Sequence, residues 1–149
     1  MYDFFFDSAD AGFIEKTWQQ IKDYTSPKHV SGVTTNPKAM DRAGCHTLLE
    51  WKSQTLKLCK IVTSIRNDNK GVVYVQLPNC DATITQALAF AKEISTWSDG
   101  ITQIGMKIPP YKDILSAVPQ LEEYVETNVT GVSDAATALF AASYGVRYV

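Results

Sequence analysis

No stretch of this chain is long and apolar enough to cross a bilayer. Its longest apolar runs, such as Phe4 to Phe6 and Ala138 to Ala142, fall far short of the ~20 residues a membrane helix requires. Acidic Asp3 stands where a secretory leader would be basic. A cytoplasmic protein is expected. Charge of one sign is equally scarce: 14 lysines and arginines and 16 aspartates and glutamates are spread without runs and leave a net charge of -2. Such a surface offers a polyanion nothing to hold, so nucleic acid is excluded as a partner. Cysteine is limited to Cys45, Cys59 and Cys80, odd in number and without a C-x-x-C pair, so reduced thiols are expected rather than a disulfide framework. Histidine is limited to His29 and His46, neither accompanied by ligands at metal spacing, and no metal site is assigned. No glycine-rich phosphate loop, neither G-x-G-x-x-G nor G-x-x-x-x-G-K-S/T, follows any apolar stretch, which argues against the dinucleotide and P-loop classes.

What remains is a globular chain of 149 residues, 45% hydrophobic, enough to bury a sizeable core. With no linker or composition break, one domain over residues 1–149 is expected. Short apolar or β-branched stretches recur: "YDFFFDS", "VSGVTTN", "GVVYVQL", "ITQIGMKIP", "YVETNVTGV" and "GVRYV". Helical patterns lie between them. Ile14, Trp18 and Ile21 share a face after Ser8 and Asp10, either of which can cap the helix. A second helix is predicted from about Thr47 to Ile65, with Leu58, Ile61, Val62 and Ile65 inward. A third follows Asp81 or Thr83 and carries Ile84, Ala87, Leu88 and Ala91. Tyr111 to Val118 gives a short helix limited by Pro119, and Asp134 precedes an alanine-rich helix with Ala135, Ala138, Leu139 and Ala142 inward. Strands alternating with helices at this spacing predict an α/β fold with a parallel sheet.

Side chains alternate faces along a strand, so parity sorts each stretch. Ile104, Met106 and Ile108 share one face, which must meet helices; Gln103, Gly105 and Lys107 share the other. The same parity groups Phe5 with Asp7, Gly32 with Thr34 and Asn36, Tyr74 with Gln76, and Glu126 with Asn128 and Thr130. Polar groups thus gather at the C-terminal ends of successive strands on one face, where a (β/α) barrel keeps its active site. Any one of them, Asp7 for instance, reads equally as a cap or turn residue; the set does not. Lys107 is the informative member. A desolvated lysine whose pKa falls becomes a nucleophilic amine able to form Schiff bases, whereas a lysine at a strand end can also reach solvent or pair with Asp7. On this residue alone both readings stand.

Four segments, "FFFDSADAGFIEK", "GVTTNPKAM", "KIP" and "NVTGVSDAATALFAASYGVRYV", resemble in order and spacing the transaldolase and fructose-6-phosphate aldolase family of class I aldolases, which fold as (β/α)8 TIM barrels. The resemblance covers essentially the whole chain. It implies that Lys107 is the Schiff-base lysine and that Asp7 assists proton transfer at substrate hydroxyls. It implies further that Asn36 and Asn128 hydrogen-bond the sugar, with Thr34 in support, and that Thr130 helps hold the catalytic water. Gln76 stands where transaldolases carry glutamate and the aldolase branch carries glutamine; an amide cannot act as a general base, so this position favours the aldolase branch or a modified mechanism. The substrate implied is a sugar or sugar phosphate, with no metal or organic cofactor.

Two departures accompany the match. Ser133 and Asp134 replace an aromatic residue and a serine while keeping a helix cap. In the family the strand matching "GVRYV" leads into a Ser-Pro-aromatic segment and an arginine that bind phosphate, then into two further βα units, all of which lie past Val149. An incomplete barrel of about six of eight units is therefore expected, as a C-terminally truncated family member. Its open sheet edges favour a homo-oligomer. The competing expectation is a non-catalytic barrel remnant that binds a sugar or serves as an assembly subunit.

Overall fold

The computed structural model describes residues 3–68, 70–98 and 100–149; Tyr2, which opens the first apolar stretch, lies outside them. Five of the expected strands form: β1 (Phe4–Asp7), β2 (Val30–Thr34), β3 (Val72–Gln76), β4 (Gln103–Ile108) and β5 (Glu126–Val129). They make one sheet in the order β1-β2-β3-β4-β5, and every neighbouring pair is parallel. Parallel neighbours need crossovers, and helices supply them: α1 (Ala11–Ile21), α2 (Pro37–Arg42), α3 (Leu48–Arg66), α4 (Ile84–Ser95), α5 (Lys112–Ser116), α6 (Val118–Leu121) and α7 (Ala135–Ala142). Among the described residues, no helix is long and apolar enough to cross a membrane.

Local chemistry starts each long helix where the sequence indicated. Asp10 accepts from the Phe13 N–H to cap α1, and Ser8 accepts in turn from the Asp10 N–H. Thr47 and Glu50 close a capping box on α3, and Thr83 with Gln86 closes one on α4, each satisfying backbone donors that the first turn leaves free. The buried faces of these helices then cover the sheet. Ile14, Leu58, Val62, Ala87, Ala91 and Ile94 are fully enclosed, as are Val33, Val73, Val75, Met106 and Ile108 of the strands.

The opposite sheet face closes on itself. Phe5 of β1 and Tyr148, which forms a parallel bridge to Asn128 of β5, meet with ring centroids 5.4 Å apart, and Tyr74 of β3 lies 5.7 and 6.1 Å from them. At ~4.8 Å per strand, a flat sheet would separate the ends by about 24 Å, so contact requires a strongly curled sheet. The fold is α/β, an incomplete TIM-barrel-like arrangement. Gly105 makes room inside the curl: a Cβ there would lie 2.4 Å from the Tyr74 ring.

Three local expectations are corrected. The "GVRYV" stretch contributes a single bridge rather than a strand, since Gly145, at φ +86°, turns the chain and only Tyr148 reaches the sheet. Pro119 does not simply end a helix: Ala117 closes α5, and the proline sits in the first turn of α6, where its missing N–H needs no partner. In α7 the buried residue is Ala141, while Ala135 and Ala142 are exposed and Leu139 is 73% exposed. A helix of alanine, leucine and phenylalanine is apolar nearly all round, so periodicity alone does not select its inward face.

Candidate active site

Strand register assembles the site in layers on the enclosed face. Lys107 is aligned with Gln76 on one side and Asn128 on the other, a row across β3, β4 and β5 at their C-terminal ends. The row below holds Asp7, Thr34, Tyr74, Gly105 and Glu126. Because all five strands run the same way, these polar groups come to one mouth of the curled sheet.

Lys107 is buried, with 7% of its surface exposed. Its Nζ lies 3.9 Å from Asp7 Oδ1, the outer limit of an ion pair, and that same oxygen accepts a 2.8 Å hydrogen bond from Thr34 Oγ1. Burial pushes the lysine pKa down; the Asp7 carboxylate opposes this but does not cancel it. The result is an amine easier to deprotonate than a surface lysine, beside an oriented carboxylate. Asp7 itself is 65% exposed at its side chain and reaches the open side of the site.

The remaining residues expected from the sequence are brought to the same end of the sheet. Gln76 and Asn128 flank Lys107 and are half-buried, and neither side chain hydrogen-bonds to a described residue. Thr130 follows β5, and its N–H donates to the Ile108 carbonyl at 2.9 Å, tying the strand ends together. Asn36 is committed in part: its Oδ1 accepts from the Ala39 N–H at 2.8 Å and caps α2, with Pro37 in the first turn, leaving its NH2 group as the free donor. Asp7 and Asn36 also line a cavity of about 290 Å³ between the loop after β1 and α2. Asp134 keeps the cap expected of it, accepting from both the N–H and Oγ1 of Thr137. His29 and His46 lie apart from the site, beside Asp3 and Asp41.

One polar constellation was not singled out from the sequence. The Tyr74 hydroxyl donates to Glu126, whose other carboxylate oxygen lies 2.9 Å from Arg147. Burial, then the adjoining Glu126 carboxylate, pushes the Tyr74 pKa far up, so it remains a donor. Parity had put Tyr74 and Glu126 on the inner face; no spacing rule pairs either with Arg147. We expect Tyr74→Phe to leave Glu126 short of a donor and cost about 1.5–3 kcal/mol, which would lower the melting temperature by roughly 5–10 °C. Thermal unfolding followed by circular dichroism checks this, and an unchanged midpoint would show that Glu126 does not depend on the phenol.

No family model matches the chain. It is 31% identical over 147 residues to a protein named probable transaldolase from Streptococcus agalactiae, and equally to one from Methanococcus vannielii; each match covers 98% of this chain and 58% of the relative. A probable transaldolase from Syntrophobacter fumaroxidans is 29% identical over 148 residues, with the same coverage. The chain thus spans 58% of the length of these curated relatives.

Proposed function

We propose that this chain, a relative of the probable transaldolases along 98% of its length, is a transaldolase-like class I aldolase acting on sugars or sugar phosphates through Lys107. The observation that carries the reading is the buried amine of Lys107 set between Gln76 and Asn128, with the Asp7 carboxylate 3.9 Å away. The neutral amine adds to the substrate carbonyl and water leaves, forming an iminium. Asp7, oriented by Thr34, takes the proton of the hydroxyl on the carbon β to the iminium carbon, and the bond between the α and β carbons breaks as its electrons move into the iminium. An aldehyde departs and an enamine stays on the lysine; protonation, or attack on a second aldehyde, returns it to an iminium, and hydrolysis by water then frees the lysine. Asn36 through its NH2 group, and Asn128, hold sugar hydroxyls. Gln76 and Thr130 hold the water. Low lysine basicity supplies the nucleophile and the iminium is the electron sink, so none of these steps calls for a metal or organic cofactor.

A glutamine can position water but cannot accept its proton, which favours aldol cleavage over transfer. Gln76→Glu introduces the carboxylate and should raise the ratio of transfer to cleavage several-fold. Product analysis by NMR, with a ketose donor alone and with an aldose phosphate acceptor added, tests this. An unchanged ratio would contradict the role given to Gln76, and no carbon–carbon exchange with any donor would contradict the reading itself. Self-association also belongs to this proposal: β1 pairs only with β2 in the described sheet, and Leu139 and Phe140 of α7 are exposed.

A further inference from the structure

The cavity beside Asp7 has a wall that the mechanism leaves unused. Lys38 and Arg42 stand four residues apart on α2 and both line the cavity, with Asp7, Asp10 and Asn36 opposite and beside them. Residues at i and i+4 share a helix face, so these two exposed cations present their charge to the same space. Neither forms an ion pair or hydrogen bond with a described residue through its side chain, although Arg66, Lys107 and Arg147 each have a carboxylate partner. The nearby carboxylates are otherwise engaged. Asp10 caps α1 through Phe13, and Asp7 is bonded by Thr34 and faces Lys107.

We propose that Lys38 and Arg42 form the phosphate subsite of this chain, holding the monoester group of a sugar phosphate whose hydroxyls meet Asp7 and Asn36 and whose carbonyl reaches Lys107. The inference rests on the function proposed above for Lys107. The chemistry of the walls selects this ligand class: two cations suit a dianionic phosphate, while a carboxylate and a free amide NH2 group suit neighbouring hydroxyls. A volume of about 290 Å³ fits a small phosphorylated polyol and is too small for a polynucleotide. Because Asp7 both lines the cavity and lies 3.9 Å from the Lys107 amine, a ligand seated there is continuous with the reacting centre.

Glycerol 3-phosphate is the direct probe, because it has the monoester and hydroxyls but no carbonyl to react with Lys107. Calorimetry at low ionic strength should show it binding the chain, with glycerol far weaker. The double variant Lys38→Ala/Arg42→Ala removes two charge-assisted hydrogen bonds to the phosphate and should weaken that binding by about 10- to 100-fold or more, with the circular dichroism spectrum unchanged. Lys92→Ala, on the exposed side of α4, should bind as the parent does. Equal affinity in the parent and the double variant, an equal loss in Lys92→Ala, or no binding by the parent would each overturn the subsite. Borohydride trapping with unphosphorylated dihydroxyacetone separates the two proposals. If the double variant loses glycerol 3-phosphate while no adduct forms on Lys107, the subsite stands and the aldolase reading fails; trapping with no charge dependence of phosphate binding gives the reverse.

Discussion

Lys107→Met is expected to abolish carbon–carbon bond cleavage and to stabilise the fold at neutral pH. The first effect follows from removing the only group proposed to make the iminium. No neighbouring residue replaces it, because Gln76 and Asn128, aligned with it in register, carry amides. Activity should fall to the uncatalysed background, a larger loss than the about 10²- to 10⁴-fold typical of removing an acid–base group such as Asp7. The second effect is a matter of sign. Burial holds the folded-state pKa of Lys107 below its ordinary value, so the unfolded chain binds the proton more tightly. Stability tied to this residue is therefore fully present above the unfolded lysine value of about 10.4, and is lost as pH falls through the lowered folded value. At neutral pH the penalty is in force, and methionine, close in length and without charge, removes it. The melting temperature of Lys107→Met should exceed that of the parent near pH 7, and the gap should close as pH rises through the alkaline range. A variant less stable than the parent at pH 7 would mean that the Asp7 contact outweighs the burial.

Gly32→Ala is expected to be the most damaging single-methyl addition in the molecule. Its Cβ would stand 1.8 Å from the backbone oxygen of Val72, the residue it faces across β2 and β3, and its φ is +157°. Backbone cannot yield as a flexible side chain does, and β2 is held between β1 and β3. Thr34 and Asn36 follow two and four residues later, so separating the strands would also displace the groups that orient Asp7 and line its cavity. We expect a cost of about 3 kcal/mol or more, at or above the upper end for overpacking, seen as a sharply lowered unfolding midpoint in urea or as loss of soluble protein. Gly12→Ala is the contrast. It lies in α1, its added methyl would meet Asp10 at an ordinary 3.5 Å, and the substitution should stabilise the helix by about 0.5–1 kcal/mol. Equal midpoints for the two variants would contradict the close approach of β2 and β3.

The contrast between these two glycines is one that only the folded chain displays, whereas other features are plain in its residue pattern. Parity alone assigned Ile104, Met106 and Ile108 to the helix-covered face and Lys107 to the enclosed one, because a strand's period of two leaves no other choice once apolar residues must be buried. The helix starts were legible for a similar reason: a cap is a local side chain-to-backbone bond that needs only a short segment, so Asp134 was expected to cap α7, and Asp10 and Thr83 were each one of two candidates for α1 and α4. Pairings across the fold were not. Tyr74, Glu126 and Arg147 come from different elements, and their meeting depends on how tightly the sheet curls, which Gly105 and the Phe5–Tyr148 contact decide. The inward side of α7 was hidden because alanine, leucine and phenylalanine leave its faces nearly equal in polarity. Asn36 was legible as a polar strand-end group, yet its double use as cap and donor appears only when Ala39 is seen against it.

Lys107 is the amine on which the proposed chemistry turns, and mass spectrometry of the chain trapped with borohydride in the presence of dihydroxyacetone measures its reaction directly. The predicted result is one reduced adduct, located on the peptide containing Lys107, absent in Lys107→Met and forming faster as pH rises from about 6 toward the lowered pKa of the buried amine. Labelling spread over exposed lysines such as Lys38 and Lys92, and undiminished in Lys107→Met, would contradict it.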